Sequence, residues 1–223
     1  MGWLRHLVVV IPGIGGSVLR RDGEVVWGGG LGDAVALLKD PDRLSLTVHD
    51  DLSPDGLIPS TSVLPGWTVI HGYDRLWRQI ANAFPDAKNR DEHLLIFSYD
   101  FRRSIRDAAS ELDRRIDEAL ARWPEQARPR RVIIVAHSMG GLIARHWLGP
   151  GGGWPKCLAL ITLGTPHRGA PKALDWLVNG IPLGPRPLRR AARRLVGAER
   201  FERANETLRG WPSLYELLPR YPA

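Results

Sequence analysis

The segment Arg131–Leu148, RVIIVAHSMGGLIARHWL, constrains this chain more than any other. Val132, Ile133, Ile134 and Val135 form a short apolar run, rich in β-branched residues, of the kind that builds a strand buried on both faces. The chain then turns through Ala136, His137, Ser138, Met139 and Gly140, and the apolar positions that follow take up helical spacing. A strand, a tight turn and a helix with a serine at the apex make a nucleophile elbow, which projects the hydroxyl above the edge of a sheet. Small residues two places before and after the serine, here Ala136 and Gly140, let strand and helix pass closely. The first of these positions usually holds glycine, and alanine still meets the steric demand.

A nucleophilic serine needs donors for the oxyanion it creates, and a second segment offers them. His6–Ile11 (HLVVVI) reads as a buried parallel strand, and it feeds the turn Pro12-Gly13-Ile14-Gly15-Gly16-Ser17. A glycine-rich turn after a strand can cradle a phosphate or present N–H groups to an oxyanion. The dinucleotide fingerprint fails, because Gly13 and Gly15 are followed by Val18 where the third glycine belongs. Beside an elbow the turn reads as an oxyanion hole, formed by the backbone N–H of Met139 with that of Ile14 or Gly15.

The other elements follow in order. Residues 20–70 read as irregular, broken by Gly28-Gly29-Gly30 and four prolines, with short amphipathic pieces at Ala34–Lys39 and around Leu44, Leu46 and Val48. An excursion of that length is too long for a passive loop, so it is expected to be a lid-like insertion exposing Trp27 and Trp67. Tyr73–Phe84 is an amphipathic helix and His93–Tyr99 a second core strand. Asp100 and Arg102 then read as a structural ion pair at the strand end. Ser104 and Asp107 cap a helix carrying Ile105, Ala108, Leu112 and Ile116 on one stripe. Lys156–Leu163 is a fourth strand, ending in Gly-Thr-Pro-His. Alternating strands and helices imply a mostly parallel, doubly wound α/β sheet, whose ligands bind beyond the carboxyl ends of the strands. Ser138, the glycine turn, Tyr99-Asp100 and Thr165–His167 all fall at that edge. Past Gly169 comes a helical cap, residues 170–219, with an Arg-rich helix over Leu188–Arg209.

Two hundred and twenty-three residues suffice for a single α/β domain. One cysteine excludes an internal disulfide, and no apolar run reaches the ~20 residues of a membrane span. With no signal peptide evident in Leu7–Ile11, the chain reads as cytoplasmic, and its Arg, Ala, Gly and Pro content suggests a GC-rich bacterial source. The net charge of +7 is uneven: from Leu183 onward nine arginines face four glutamates, +5 of the total. This Arg-rich segment, 186–209, is either a peripheral contact for an anionic membrane or a solvated cap helix. No aromatic stacking pattern supports nucleic-acid binding. The histidines lack metal-ligand spacing, so no metal and no cofactor is expected.

Five stretches, VVVIPGIGGSVL, SYDFRRS, VAHSMGGLIARHWL, ITLGTPHRGAPKAL and WPSLYELLP, together resemble the lecithin:cholesterol acyltransferase family of α/β-hydrolases, which includes lysosomal phospholipase. The resemblance runs from residue 7 to 219. It implies a lid-covered hydrolase or acyltransferase that uses an acyl-enzyme on Ser138 to act on ester bonds of lipids, phospholipid or acylglycerol. Tyr99, in Tyr-Asp-Phe-Arg, is similar to the family's Tyr-Asp-Trp-Arg, and Trp27 to a tryptophan at the start of its lid. Both would line the site with His137 and His167, the latter as a positioning residue. The family's catalytic acid and histidine lie after two further core strands, which would follow residue 219. After Ser138 this chain has only His146, His167 and Asp175. The chain therefore reads as C-terminally truncated or as a divergent copy that has lost its triad, with Asp175 and His167 as a compact substitute acid and base. The alternative is a non-catalytic α/β-hydrolase-like module that binds a lipid or a protein.

Overall fold

Strand β1 (Leu7–Ile11) is buried along its whole length because strands pair with both of its edges. The computed structural model describes residues 6–28, 31–58, 73–84, 87–123, 131–180 and 186–220. Within them β1 joins β5 (Leu94–Ile96) on one side and β6 (Val132–His137) on the other, with β7 (Cys157–Leu163) beyond β6. All three pairings are parallel, and the register sets Ile11 beside Ala136 and His137 beside Leu163. The carboxyl ends of the four strands therefore share one edge. The chain passes from β1 to β5 and then back across to β6, so the sheet order β5-β1-β6-β7 reverses direction between β1 and β6. In an open α/β sheet, that switch point is where a crevice forms.

Helices α4 (Ile105–Ala121) and α5 (Met139–Leu148) follow β5 and β6. The expected cap on α4 is present, with the Asp107 N–H donating to Ser104 Oγ at 3.0 Å. A polar clasp locks α4 to α5: Trp147 Nε1 donates to Asp113 at 2.8 Å, and Lys156 reaches both Asp113 and Asp117. Burial works against the charge on Asp113, but these hydrogen bonds and the Lys156 charge outweigh it and hold the carboxyl below its usual range. Helices α2 (Asp74–Ala81) and α3 (Ala87–His93) precede β5, which is shorter than the expected His93–Tyr99 at both ends: α3 runs through His93, and the register with β1 ends at Ile96.

The reading of residues 20–70 as irregular is corrected. The β2 strand (Ser17–Arg21), β3 (Glu24–Trp27) and β4 (Ser53–Leu57) form a second, antiparallel sheet, with helix α1 (Leu31–Lys39) and a 3₁₀ turn at Pro41–Leu44 between β3 and β4. The hairpin β2–β3 turns on Asp22-Gly23, both at positive φ (51° and 83°), the residue pair such two-residue turns favour. The expectation that Trp27 is exposed is also overturned, since its ring is 8% exposed and packs on Phe101. Trp67 lies outside the described residues.

Beyond β7 come α6 (Pro171–Asn179), α7 (Arg186–Val196), α8 (Ala198–Arg209) and α9 (Pro212–Glu216). The single Arg-rich helix expected over Leu188–Arg209 is two helices, broken at Gly197 (φ 88°). Leu195, on α7, is 86% exposed. Helix α8 instead docks on the 3₁₀ turn, where Thr207 Oγ1 donates to Pro41 O and Arg203 pairs with Asp42, both at 2.9 Å. Among the described residues no helix is long and apolar enough to cross a membrane.

Candidate functional site

Strand β6 ends at His137 and α5 begins at Met139, so Ser138 alone makes the turn. Its backbone sits at φ 50°, ψ −122°, a region L-residues avoid at a cost of about 1–3 kcal/mol. Packing enforces it. The Ser138 N–H donates to Leu163 O at 2.9 Å, anchoring the turn to β7. A side chain at Gly140 would put its Cβ 2.5 Å from Pro12 O, so α5 starts hard against the end of β1. Gly141 is as tight against Thr165, whose buried hydroxyl has no partner among the described residues.

The glycine turn lies directly beside the elbow. A Cβ on Gly13 would stand 2.9 Å from Ser138 Cβ and 3.0 Å from His137 Nδ1. The Gly16 N–H closes the turn on Gly13 O at 3.0 Å. The N–H groups of Ile14, Gly15 and Met139 take no acceptor among the described residues, and neither does Ser138 Oγ donate to one.

Tyr73, at the start of α2, ties the two turns together and was not singled out as a site residue by the sequence reading. The Gly13 N–H donates to its phenolic oxygen at 2.7 Å, and that oxygen lies 2.8 Å from His137 Nδ1. The phenol both donates and accepts, so the direction of its bond to Nδ1 follows the tautomer of His137. Burial pushes the Tyr73 phenol up to about 12, against a smaller opposing effect of the Gly13 hydrogen bond. Burial also lowers the His137 imidazole, favouring its neutral form. The only sequence signal was an aromatic residue opening an amphipathic helix, which is also what an ordinary core contact looks like.

Tyr99 and Trp27, expected to line the site, support the turn from behind. The Tyr99 hydroxyl donates to Pro12 O at 3.0 Å, and Trp27 Nε1 donates to Gly15 O at 2.9 Å. Both are buried, at 2% and 8% exposure. Burial, with the charge Tyr73 would carry as a second cause, raises the Tyr99 phenol well above its ordinary range.

Asp100 and Arg102 form a buried ion pair, with Arg102 Nη2 2.7 Å from Asp100 Oδ2 and Nε 2.9 Å from Oδ1. Arg102 Nη1 also donates to His49 O at 2.7 Å, pinning the segment before β4.

The histidines after Ser138 sit elsewhere. His146 and His167 line a groove on the flank of α5 with Leu142 and Arg145. Asp175 accepts a hydrogen bond from Asn179 one turn along α6, at 2.6 Å. Among the described residues no imidazole is hydrogen-bonded to Ser138 Oγ.

A parallel sheet flanked by helices, with a serine elbow at its switch point, defines an α/β-hydrolase-type fold. Residues 74–181, just under half of the chain, match the PGAP1-like alpha/beta domain. Ninety-seven residues are 33% identical to the GPI inositol-deacylase of Debaryomyces hansenii, a match covering 41% of this chain and 9% of that protein. The chain is thus similar to a small part of its relative's length. These matches support the α/β-hydrolase class; the narrower likeness to the lecithin:cholesterol acyltransferase and lysosomal phospholipase family rests on motifs alone.

Proposed function

We propose that this protein is a serine-dependent acyl hydrolase or acyltransferase acting on lipid ester bonds. Ser138 Oγ attacks the ester carbonyl, the alcohol leaves, and water or a second alcohol releases the acyl group from the serine. The tetrahedral oxyanion is received by the N–H of Met139 and that of Ile14 or Gly15, each worth roughly 3 kcal/mol in the transition state. The observation carrying this reading is the strained Ser138 abutting Gly13, in turns whose Ile14, Gly15 and Met139 N–H groups take no acceptor among the described residues. The similarity to a protein named for removing an acyl group from inositol supports an acyl-ester substrate. A phospholipid or acylglycerol ester, with no metal or cofactor, fits the same chemistry.

A non-catalytic lipid-binding module is the second reading, favoured by the lack of an imidazole on Ser138 Oγ among the described residues. A fluorophosphonate probe separates the two. Labelling that disappears in Ser138→Ala, with a burst of p-nitrophenol from p-nitrophenyl butyrate, is the expected result. An unlabelled chain that retains lipid binding would favour the module.

A further inference from the structure

Behind the elbow, the flank of α5 borders an open groove of about 680 Å³. Four arginines reach it from four segments: Arg106 in the first turn of α4, Arg145 on α5, Arg168 after β7, and Arg220 after α9. His146 and His167 add two further N–H donors. Among the described residues none of the four guanidinium groups has an ion-pair or hydrogen-bond partner. The groove's one carboxylate, Glu216, is already engaged, accepting the Ile105 N–H at 2.6 Å and so capping α4.

On the adjoining faces of α4, Arg114 pairs with Glu111 and Glu118, and Lys156 with Asp113 and Asp117. The cationic cluster is also held in place. Arg220 N donates to Arg168 O at 3.0 Å and Ala170 N to Leu217 O at 2.7 Å, so the loops carrying two of the arginines are stitched together. Like charges sharing a groove repel one another, a cost that a bound anion reverses. Guanidinium forks match the several oxygens of a phosphate, and four from different directions suit it better than a planar carboxylate. Leu142, Leu148 and Leu218 provide an apolar lining for the organic part of such a ligand.

We propose that this groove binds a phosphate-bearing ligand, a phosphomonoester or phosphodiester whose oxygens engage Arg106, Arg145, Arg168 and Arg220. The inference stands apart from the acyl chemistry at Ser138. The same phosphate chemistry is carried by a phospholipid headgroup and by a soluble phosphoester, and the test distinguishes them.

The full chain is titrated with inorganic phosphate by calorimetry, and with phosphatidylcholine vesicles with and without phosphatidic acid by co-sedimentation. The groove variant Arg145→Ala/Arg168→Ala is compared with Arg122→Ala/Arg131→Ala, which removes the same charge from exposed positions after α4 and before β6. Each lost charge-assisted hydrogen bond should weaken binding about tenfold or more. The groove variant should lose at least that much while the control binds like wild type. Loss confined to inorganic phosphate assigns a soluble ligand, and loss extending to phosphatidic acid vesicles assigns a lipid headgroup. Binding of neither probe by the wild type, equal loss in both variants, or wild-type binding by the groove variant overturns the proposal.

Discussion

Replacing Tyr73 by phenylalanine removes a single oxygen, and the structure fixes what that should do. The ring keeps its place: it is 5% exposed and stands edge-on to His137 at 5.7 Å between centroids. Lost are the acceptor of the Gly13 N–H at 2.7 Å and the partner of His137 Nδ1 at 2.8 Å. The imidazole is half-buried and can find water, whereas the Gly13 N–H is buried and cannot. An orphaned buried donor costs about 1–3 kcal/mol, and the second hydrogen bond about 1 more, so Tyr73→Phe should cost roughly 2–4 kcal/mol. Urea unfolding should show a lowered midpoint at unchanged slope. There is a second signature. A phenol pushed up to about 12 from 10.0 loses its proton first in the unfolded chain. The stability it confers is therefore complete below pH 10 and is lost as pH rises toward 12, on the order of 2–3 kcal/mol. Tyr99 adds to the same alkaline loss, so the measure is the difference between wild type and Tyr73→Phe, which should flatten that limb. A variant within about 0.5 kcal/mol of wild type at neutral pH, with an unchanged alkaline limb, would refute the idea that the phenol holds the glycine turn to the elbow.

Gly140→Ala should destabilise by about 1–3 kcal/mol or more, because the new methyl meets the Pro12 carbonyl and not a flexible side chain; the thermal midpoint and fluorophosphonate labelling should fall together. Arg102→Met leaves the Asp100 carboxylate buried, with the residue-102 N–H at 3.0 Å and Arg103 Nε at 3.4 Å, and should cost about 3 kcal/mol in urea unfolding, much of it restored by adding Asp100→Asn. Ser138→Gly should stabilise the fold by about 1 kcal/mol while abolishing labelling, and Ser138→Ala should abolish labelling without the gain. With the His137 imidazole lowered by burial, the unfolded chain takes up that proton first, so stability should fall as pH drops below 6.5 in wild type and less so in His137→Gln.

The parallel sheet was legible because its strands are runs such as Val8–Ile11 and Val132–Val135, apolar on both faces, and because the elbow requires a strand before it and a helix after it. The ion pair of Asp100 with Arg102 and the cap of Ser104 on Asp107 were legible because they lie within three residues along the chain. What escaped was long-range or two-faced. Tyr73 meets Gly13 across sixty positions, and a phenol at a helix start carries no mark of its partner. Trp27 read as exposed because it lies in the stretch read as an irregular excursion, yet its indole N–H has a carbonyl to reach and its ring has Phe101 to cover. The second sheet was missed for a different reason. Its β4 strand, Ser-Pro-Asp-Gly-Leu, has no apolar alternation, and pairing with β2 alone makes it a strand.

The backbone twist at Ser138 has an evolutionary corollary. A site whose geometry suits the smallest residue offers any lineage with no use for a hydroxyl there a downhill substitution, one that makes the protein sturdier. Keeping the oxygen means forgoing that gain every time the chain folds. Among relatives that have abandoned chemistry at this turn, glycine should therefore be the residue most often found.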